Sequence, residues 1–130
     1  DGELVDIVHR PVTPADVAAP PADAIRMPSG LAYKILRPGT GTVHPGRHTR
    51  VLVDYNGWTT DGQMFDTSIL RGDPVEFSLA EVIPGWTEGI QLMTEGEKVR
   101  FWIPEKIAYK GEKGKPAGML VFDVELLKIR

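Results

Sequence analysis

Apolar residues in this chain recur with a period of two in nearly every patterned stretch and with helical spacing in one window only. That contrast confines the fold to a sheet closed by a single helix. Arg50 to Tyr55 alternates cleanly, with Val51, Val53 and Tyr55 facing one way and Arg50, Leu52 and Asp54 the other. Leu31–Leu36, Val75–Leu79 and Lys98–Ile103 read as further strands, the last with Val99, Phe101 and Ile103 on one face. Leu120 to Ile129 sets Leu120, Phe122, Val124 and Leu126 on one face, and its other face, with Val121 and Leu127 beside Asp123 and Glu125, is only partly polar. Pro38-Gly39 and His44-Pro45-Gly46 mark turns, and Asp61-Gly62 lies between Trp58 and Phe65 as a tight turn between two strand arms would. The one helical window holds Trp86, Ile90 and Met93, with Pro84 just inside its start and Gly96 as its stop. Several antiparallel strands and one short amphipathic helix imply an α+β fold, a curved sheet wrapped on the helix.

A chain of 130 residues fits one compact domain with a modest extension. The net charge is −3 and the fifteen Lys and Arg residues are scattered, so nucleic acid is not the expected partner. No apolar run approaches the length of a membrane span. The absence of cysteine rules out disulfides and thiolate chemistry. Pro11, Pro14, Pro20, Pro21 and Pro28, interleaved with Ala and Asp, read as a semi-rigid spacer, with a short helical turn allowed over Thr13 to Val17. Before it, Asp1 to Ile7 follows the pattern D-x-E-L-(V/L)-x-I, as does Asp123 to Ile129. Two similar strand-like segments arise by chance often enough to count. Their placement, one closing a domain and one preceding the spacer, favours residues 1–8 as the last strand of a preceding copy. Such a strand needs an edge to pair with, in this chain or by self-association with a second molecule. The expected division is residues 1–8 as that remnant, 9–28 as linker and 29–130 as the domain. The first residue is Asp1 and no signal-peptide pattern follows, so a processed or trimmed start is expected.

Most enzyme chemistry lacks its residues. His9, His44 and His48 are the only histidines, and none has metal-ligand spacing with acidic partners, so no metal or cofactor is expected. No G-x-S-x-G elbow or phosphate-binding loop occurs, and Gly39 and Gly41 are better read as turn residues. The aromatic residues are more informative. Tyr55, Phe65, Phe77, Trp86, Phe101, Tyr109 and Phe122 all fall at inward-facing or strand-end positions. Taken alone, such a set is a core.

The order of motifs alters that reading. Val53-Asp54-Tyr55-Asn56-Gly57, Asp61-Gly62, Phe65-Asp66-Thr67-Ser68, Val82-Ile83-Pro84-Gly85-Trp86-Thr87-Glu88-Gly89 with Met93 and Gly96, and Leu120 to Leu127 resemble, in that order, the FKBP family of prolyl isomerases. The resemblance covers about residues 29 to 130. It implies a bent antiparallel sheet half-wrapped around the Trp86 helix, with a substrate pocket between them. It further implies Trp86 as the floor, and Tyr55, Phe65, Val75, Val82, Ile83, Tyr109 and Phe122 as walls. Asp66 would face the pocket with Arg71 as its ionic partner, although an Asp in this setting also caps turns. The Ile83 N–H and the Tyr109 hydroxyl would donate to substrate carbonyls. Proline-containing polypeptides are the implied substrates, and macrolides of the rapamycin type the implied competitors.

Two departures qualify the match. Val75 stands where the family usually has a ring, and the stretch Lys110 to Gly118 is shorter, charged and glycine-rich, with Lys110 in place of the usual Gly. One rim should therefore be lower and more open; the loop is either a solvated turn or a contact for acidic or extended partners. Two functions fit: an isomerase assisting protein folding, or a non-catalytic peptide-binding or assembly module on the same fold. Asp66, Ile83, Trp86 and Tyr109 together favour catalysis. The proline–alanine spacer and the start of the chain lean toward a bacterial cell envelope or periplasm rather than the cytoplasm.

Overall fold

The structure is a computed structural model, and it describes residues 13–130. The repeat over residues 1–8, with the strand pairing expected of it, lies outside the described residues. Seven strands form one antiparallel sheet: β1 (Ile25–Arg26), β2 (Ala32–Arg37), β3 (Arg50–Thr59), β4 (Met64–Thr67), β5 (Val75–Ser78), β6 (Lys98–Ile103) and β7 (Leu120–Ile129). Among the described residues a single α-helix, α1 (Pro84–Ile90), lies between β5 and β6. The order across the sheet is β1-β2-β6-β7-β3-β4, with β5 also paired to β3. This is the α+β architecture that the two periodicities imply.

β3 carries the bend. Its first half, Arg50 to Val53, pairs with β5, its second half pairs with β4, and its other edge follows β7 along its length. Register shifts at Leu52/Val53 against β7 and at Gly57/Trp58 against β4 mark bulges, which locally bend and twist a strand. The concave face so formed buries Val51, Val53, Tyr55, Phe101, Phe122, Val124 and Leu126 against Trp86 and Ile90 of the helix.

Pro84 occupies the start of α1, where its missing N–H costs nothing. The helix ends at Ile90, short of the stop expected at Gly96. Leu92 and Met93 instead donate to the carbonyls of Gly89 and Ile90, so the chain tightens into i→i+3 turns. Met93 still reaches the core, because that tighter winding keeps it on the same side as Ile90. Gly96 (φ +86) then lies in the left-handed region and donates its N–H to Leu126.

The convex face is covered as well, which explains why the outer side of β7 is only partly polar. From Thr13 the proline-rich stretch lies against it. Ala15 to Ala18 form a turn and not a helix, and Val17 and Ala24 pack on buried Ala32, Trp102 and Val121. Trp102 Nε1 donates to the Asp16 carbonyl at 3.0 Å. Arg100 is held by Asp16 at 3.0 Å and by both carboxylate oxygens of Asp123 at 2.6 and 2.9 Å.

Candidate functional site

Between the concave face and α1 lies a cavity of about 250 Å³, lined by Tyr55, Asp66, Phe77, Glu81, Val82, Ile83, Trp86, Tyr109 and Phe122. Trp86 is its floor. Three rings meet it edge-on: Tyr55 at 5.1 Å and 85°, Phe122 at 5.2 Å and 83°, and Phe77 at 5.4 Å and 87° between centroids and planes. Such T-shaped pairs suit the ring quadrupoles and fix each plane against the others. Trp86 Nε1 is buried without an acceptor among the described residues, so it offers no polar anchor.

The walls need Gly57. A Cβ there would stand 2.7 Å from Phe122 and 2.8 Å from Phe65, so only glycine lets the two rings close over β3. Phe65, expected as a wall, packs edge-on against Phe122 at 5.5 Å and does not itself line the cavity. Val75, opposite Val53 in the ladder, packs on the core and stands back from the cavity, as does Arg71. Phe77 lines it instead. The alternation of β5 puts Phe77 on the same face as Val75, and its longer side chain reaches Trp86. Glu81, which no sequence signal marked, stands exposed at the rim.

Asp66 serves in both of the ways open to it. Oδ1 accepts from the Thr67 N–H at 2.9 Å and pairs with Arg71 at 2.9 Å, while Oδ2 accepts from the Tyr55 hydroxyl at 2.6 Å. Arg71 also donates to the Tyr55 hydroxyl at 3.2 Å, closing a three-residue ring of bonds. Ser68, fully buried, ties the following turn back to β3. Its hydroxyl accepts from the Tyr55 N–H at 2.8 Å and donates to Asp54 at 2.9 Å. Partial burial pushes the Asp66 carboxyl up, but the bonds from Tyr55 and Arg71 outweigh it and hold the group below its ordinary value. Tyr109 is displaced upward by burial and then by the charges of Asp66 and Glu112, so its hydroxyl keeps its proton.

Two donors are left over. Among the described residues, neither the Ile83 N–H nor the Tyr109 hydroxyl has a protein acceptor, and both residues line the cavity. No residue from Lys110 to Gly118 lines it, so that side is open. The loop instead folds on itself, with Lys110 in the left-handed region (φ 57), its N–H and that of Gly118 bonded to Glu105, and the Lys115 ammonium 5.5 Å from the centre of the Tyr109 ring. Among the described residues no group of three or more His, Cys, Asp or Glu is gathered as a metal site would require.

The site is thus a ring-walled pocket between a bent sheet and a short helix, with two donors that have no protein acceptor among the described residues. The family model for FKBP-type peptidyl-prolyl cis-trans isomerase matches residues 41–127. The chain is 52% identical over 105 residues to the FKBP-type isomerase FkpA of Aeromonas hydrophila, and 49% identical over 105 residues to a probable FkpA of Neisseria meningitidis serogroup B. Each match covers 78% of this chain and 38% of the relative, so the chain spans well under half the length of these two proteins. The crystal structure of FkpA from Escherichia coli superposes with a TM-score of 0.78 at 40% identity, over 85% of this chain and 53% of that one. The chain belongs to the FKBP-type peptidyl-prolyl cis-trans isomerase family.

Proposed function

We propose that this domain accelerates cis–trans isomerisation of the bond preceding proline in polypeptides, and so assists their folding, with the pyrrolidine ring seated on Trp86. Residues 29–130 are the isomerase unit in this reading. The observation that carries it is the pairing of a ring-walled cavity with two donors, Ile83 N–H and Tyr109 O–H, that have no protein acceptor among the described residues.

The barrier to be lowered is the loss of amide resonance, about 18–20 kcal/mol. Uncatalysed prolyl bonds therefore relax over roughly tens to hundreds of seconds. The planar amide is more dipolar than the twisted one, so an apolar site that replaces its hydration favours the twisted form. Trp86, Tyr55, Phe77 and Phe122 supply that site and hold the ring by shape. Ile83 and Tyr109 hold carbonyls of the flanking chain, so rotation is confined to one torsion. Asp66, kept ionised by Tyr55 and Arg71, fixes the Tyr55 ring and presents negative charge at the pocket edge. No nucleophile and no proton transfer are needed.

Protease-coupled or NMR exchange assays on proline peptides test this. Tyr109→Phe should lower kcat/KM about tenfold, the worth of one hydrogen bond made during rotation, while leaving stability nearly unchanged. Asp66→Ala should lower both, since Tyr55 and Arg71 lose their partner. Macrolides of the rapamycin type should compete. Unchanged rates in both variants would remove the site assignment, and a wild-type domain without any acceleration would leave peptide binding alone.

A further inference from the structure

A second, larger concavity lies beside the first. It has a volume of about 720 Å³, and its lining includes Leu79, Ala80, Val82, Pro84 and Leu92, with Arg47 and His48 on one bank. That size falls within the range of about 300–1,000 Å³ typical of ligand sites, whereas the Trp86 cavity is smaller and suits a single residue. Val82 lines both. The boundary between them therefore falls at Val82, next to Ile83, whose N–H has no acceptor among the described residues.

We propose that this groove is an extended subsite for the substrate polypeptide, holding the segment that flanks the proline on the Ile83 side. The inference rests on the reading of the Trp86 cavity as the proline site. Its first support is continuity, since a chain anchored at Ile83 must pass Val82. Preorganisation is the second. The three segments forming the groove are bonded to one another, with the Thr87 hydroxyl donating to the Leu79 carbonyl at 2.6 Å and the Leu79 N–H donating to Thr49 at 3.0 Å. The groove thus needs no ordering when the chain arrives. The third support is chemistry. Val82, Pro84 and Leu92 offer apolar surface, and Arg47 and His48 are exposed on one bank; of the two nearby carboxylates, Glu88 accepts from Ser29 at 2.6 Å and Glu81 lines the first cavity, not this groove. The favoured segment is apolar next to the proline and acidic where it reaches Arg47 and His48.

Two longer peptides, extended from a short proline peptide in either the N-terminal or the C-terminal direction with an apolar then acidic sequence, test this against the short one. In the wild type one extension, and only one, should raise kcat/KM about tenfold over the short peptide. Ala80→Arg, which fills the groove from an exposed position, should abolish that advantage and leave the short peptide unaffected. Arg47→Glu should convert the preference for the acidic extension into a preference for a lysine one. Equal rates for all three peptides in the wild type, or an Ala80→Arg variant that slows short and long peptides alike, would overturn the inference. Fluorescence anisotropy of the labelled long peptides separates this from the proline site. Should the short peptide not be turned over at all, binding of one long peptide that Ala80→Arg removes still supports the groove, and binding that it leaves intact overturns it.

Discussion

At Asp66 burial and hydrogen bonding pull in opposite directions, and the outcome decides how the pocket behaves with pH. The carboxylate is partly shielded, yet the Tyr55 hydroxyl and the Arg71 guanidinium hold its folded pKa below the ordinary 3.8. A group depressed in the folded state stabilises the protein above its unfolded pKa of about 3.9, and that contribution is lost as pH falls through the folded value. Tyr109 and Tyr55 are raised above 10.0, mainly by burial, so both remain protonated through neutral pH, and what they contribute is lost only as pH rises through their folded values. No group assigned to the reaction changes charge between these limits. The kcat/KM for a short uncharged proline peptide should therefore be flat from about pH 5 to 9, followed by NMR exchange. A bell-shaped profile in that window would mean that a titrating group takes part. Asp66 itself was legible in sequence only as an alternative between turn cap and pocket carboxylate. Short polar side chains after an aromatic serve in either place, and here one carboxylate does both.

Glycine has opposite consequences at the scale of one element. In α1, Gly89 faces β6, and a Cβ there would stand 2.6 Å from the Phe101 ring. Replacing Gly by Ala inside a helix gains about 1 kcal/mol of propensity, whereas forcing a methyl into a filled contact costs about 1–3 kcal/mol. The clash should win. Gly89→Ala is expected to lower stability by about 1 kcal/mol in urea melts, and to reduce turnover because the displaced helix carries Trp86 with it. Equal or greater stability would show that Phe101 yields at no cost. The same closeness limits what alternation can reveal about boundaries. The pattern in β3 is readable to Tyr55, yet the strand runs to Thr59, and Asn56, Gly57 and Trp58 are all buried. A strand covered on both faces loses its period-two signature. β1, two exposed residues after a proline-rich stretch, has no pattern to read. The helix was legible from Trp86 and Ile90, but its end was not, because Met93 lies on the same face whether the chain winds as α or as a tighter turn.

On the scale of the whole molecule, the pocket face was readable in sequence because ordered motifs pass through it, and the opposite face was not. Proline and alanine from Thr13 to Ala24 announce irregular backbone but say nothing of where it lies. The only hint was a β7 outer face with Val121 and Leu127 where polar residues belong. Covering that face buries Trp102 completely and supplies its indole N–H with the Asp16 carbonyl. The ion pair beside it matters less. Asp16→Ala should cost under about 1 kcal/mol, because Arg100 keeps both bonds to Asp123 and the Trp102 acceptor is main chain. The apolar cover is the larger contribution. A chain beginning at Ala24, or the milder Val17→Asp, should lose roughly 2–3 kcal/mol, close to the value of fully burying one large side chain. In thermal melts both should fall well below Asp16→Ala. Short-peptide kcat/KM per folded molecule should stay at the wild-type level, since the pocket lies across the sheet. A truncated chain as stable as the full one would show that Trp102 is sheltered without this segment. One that is stable but slow would show that the convex face, through Asp123 and its neighbour Phe122, helps set the wall of the pocket.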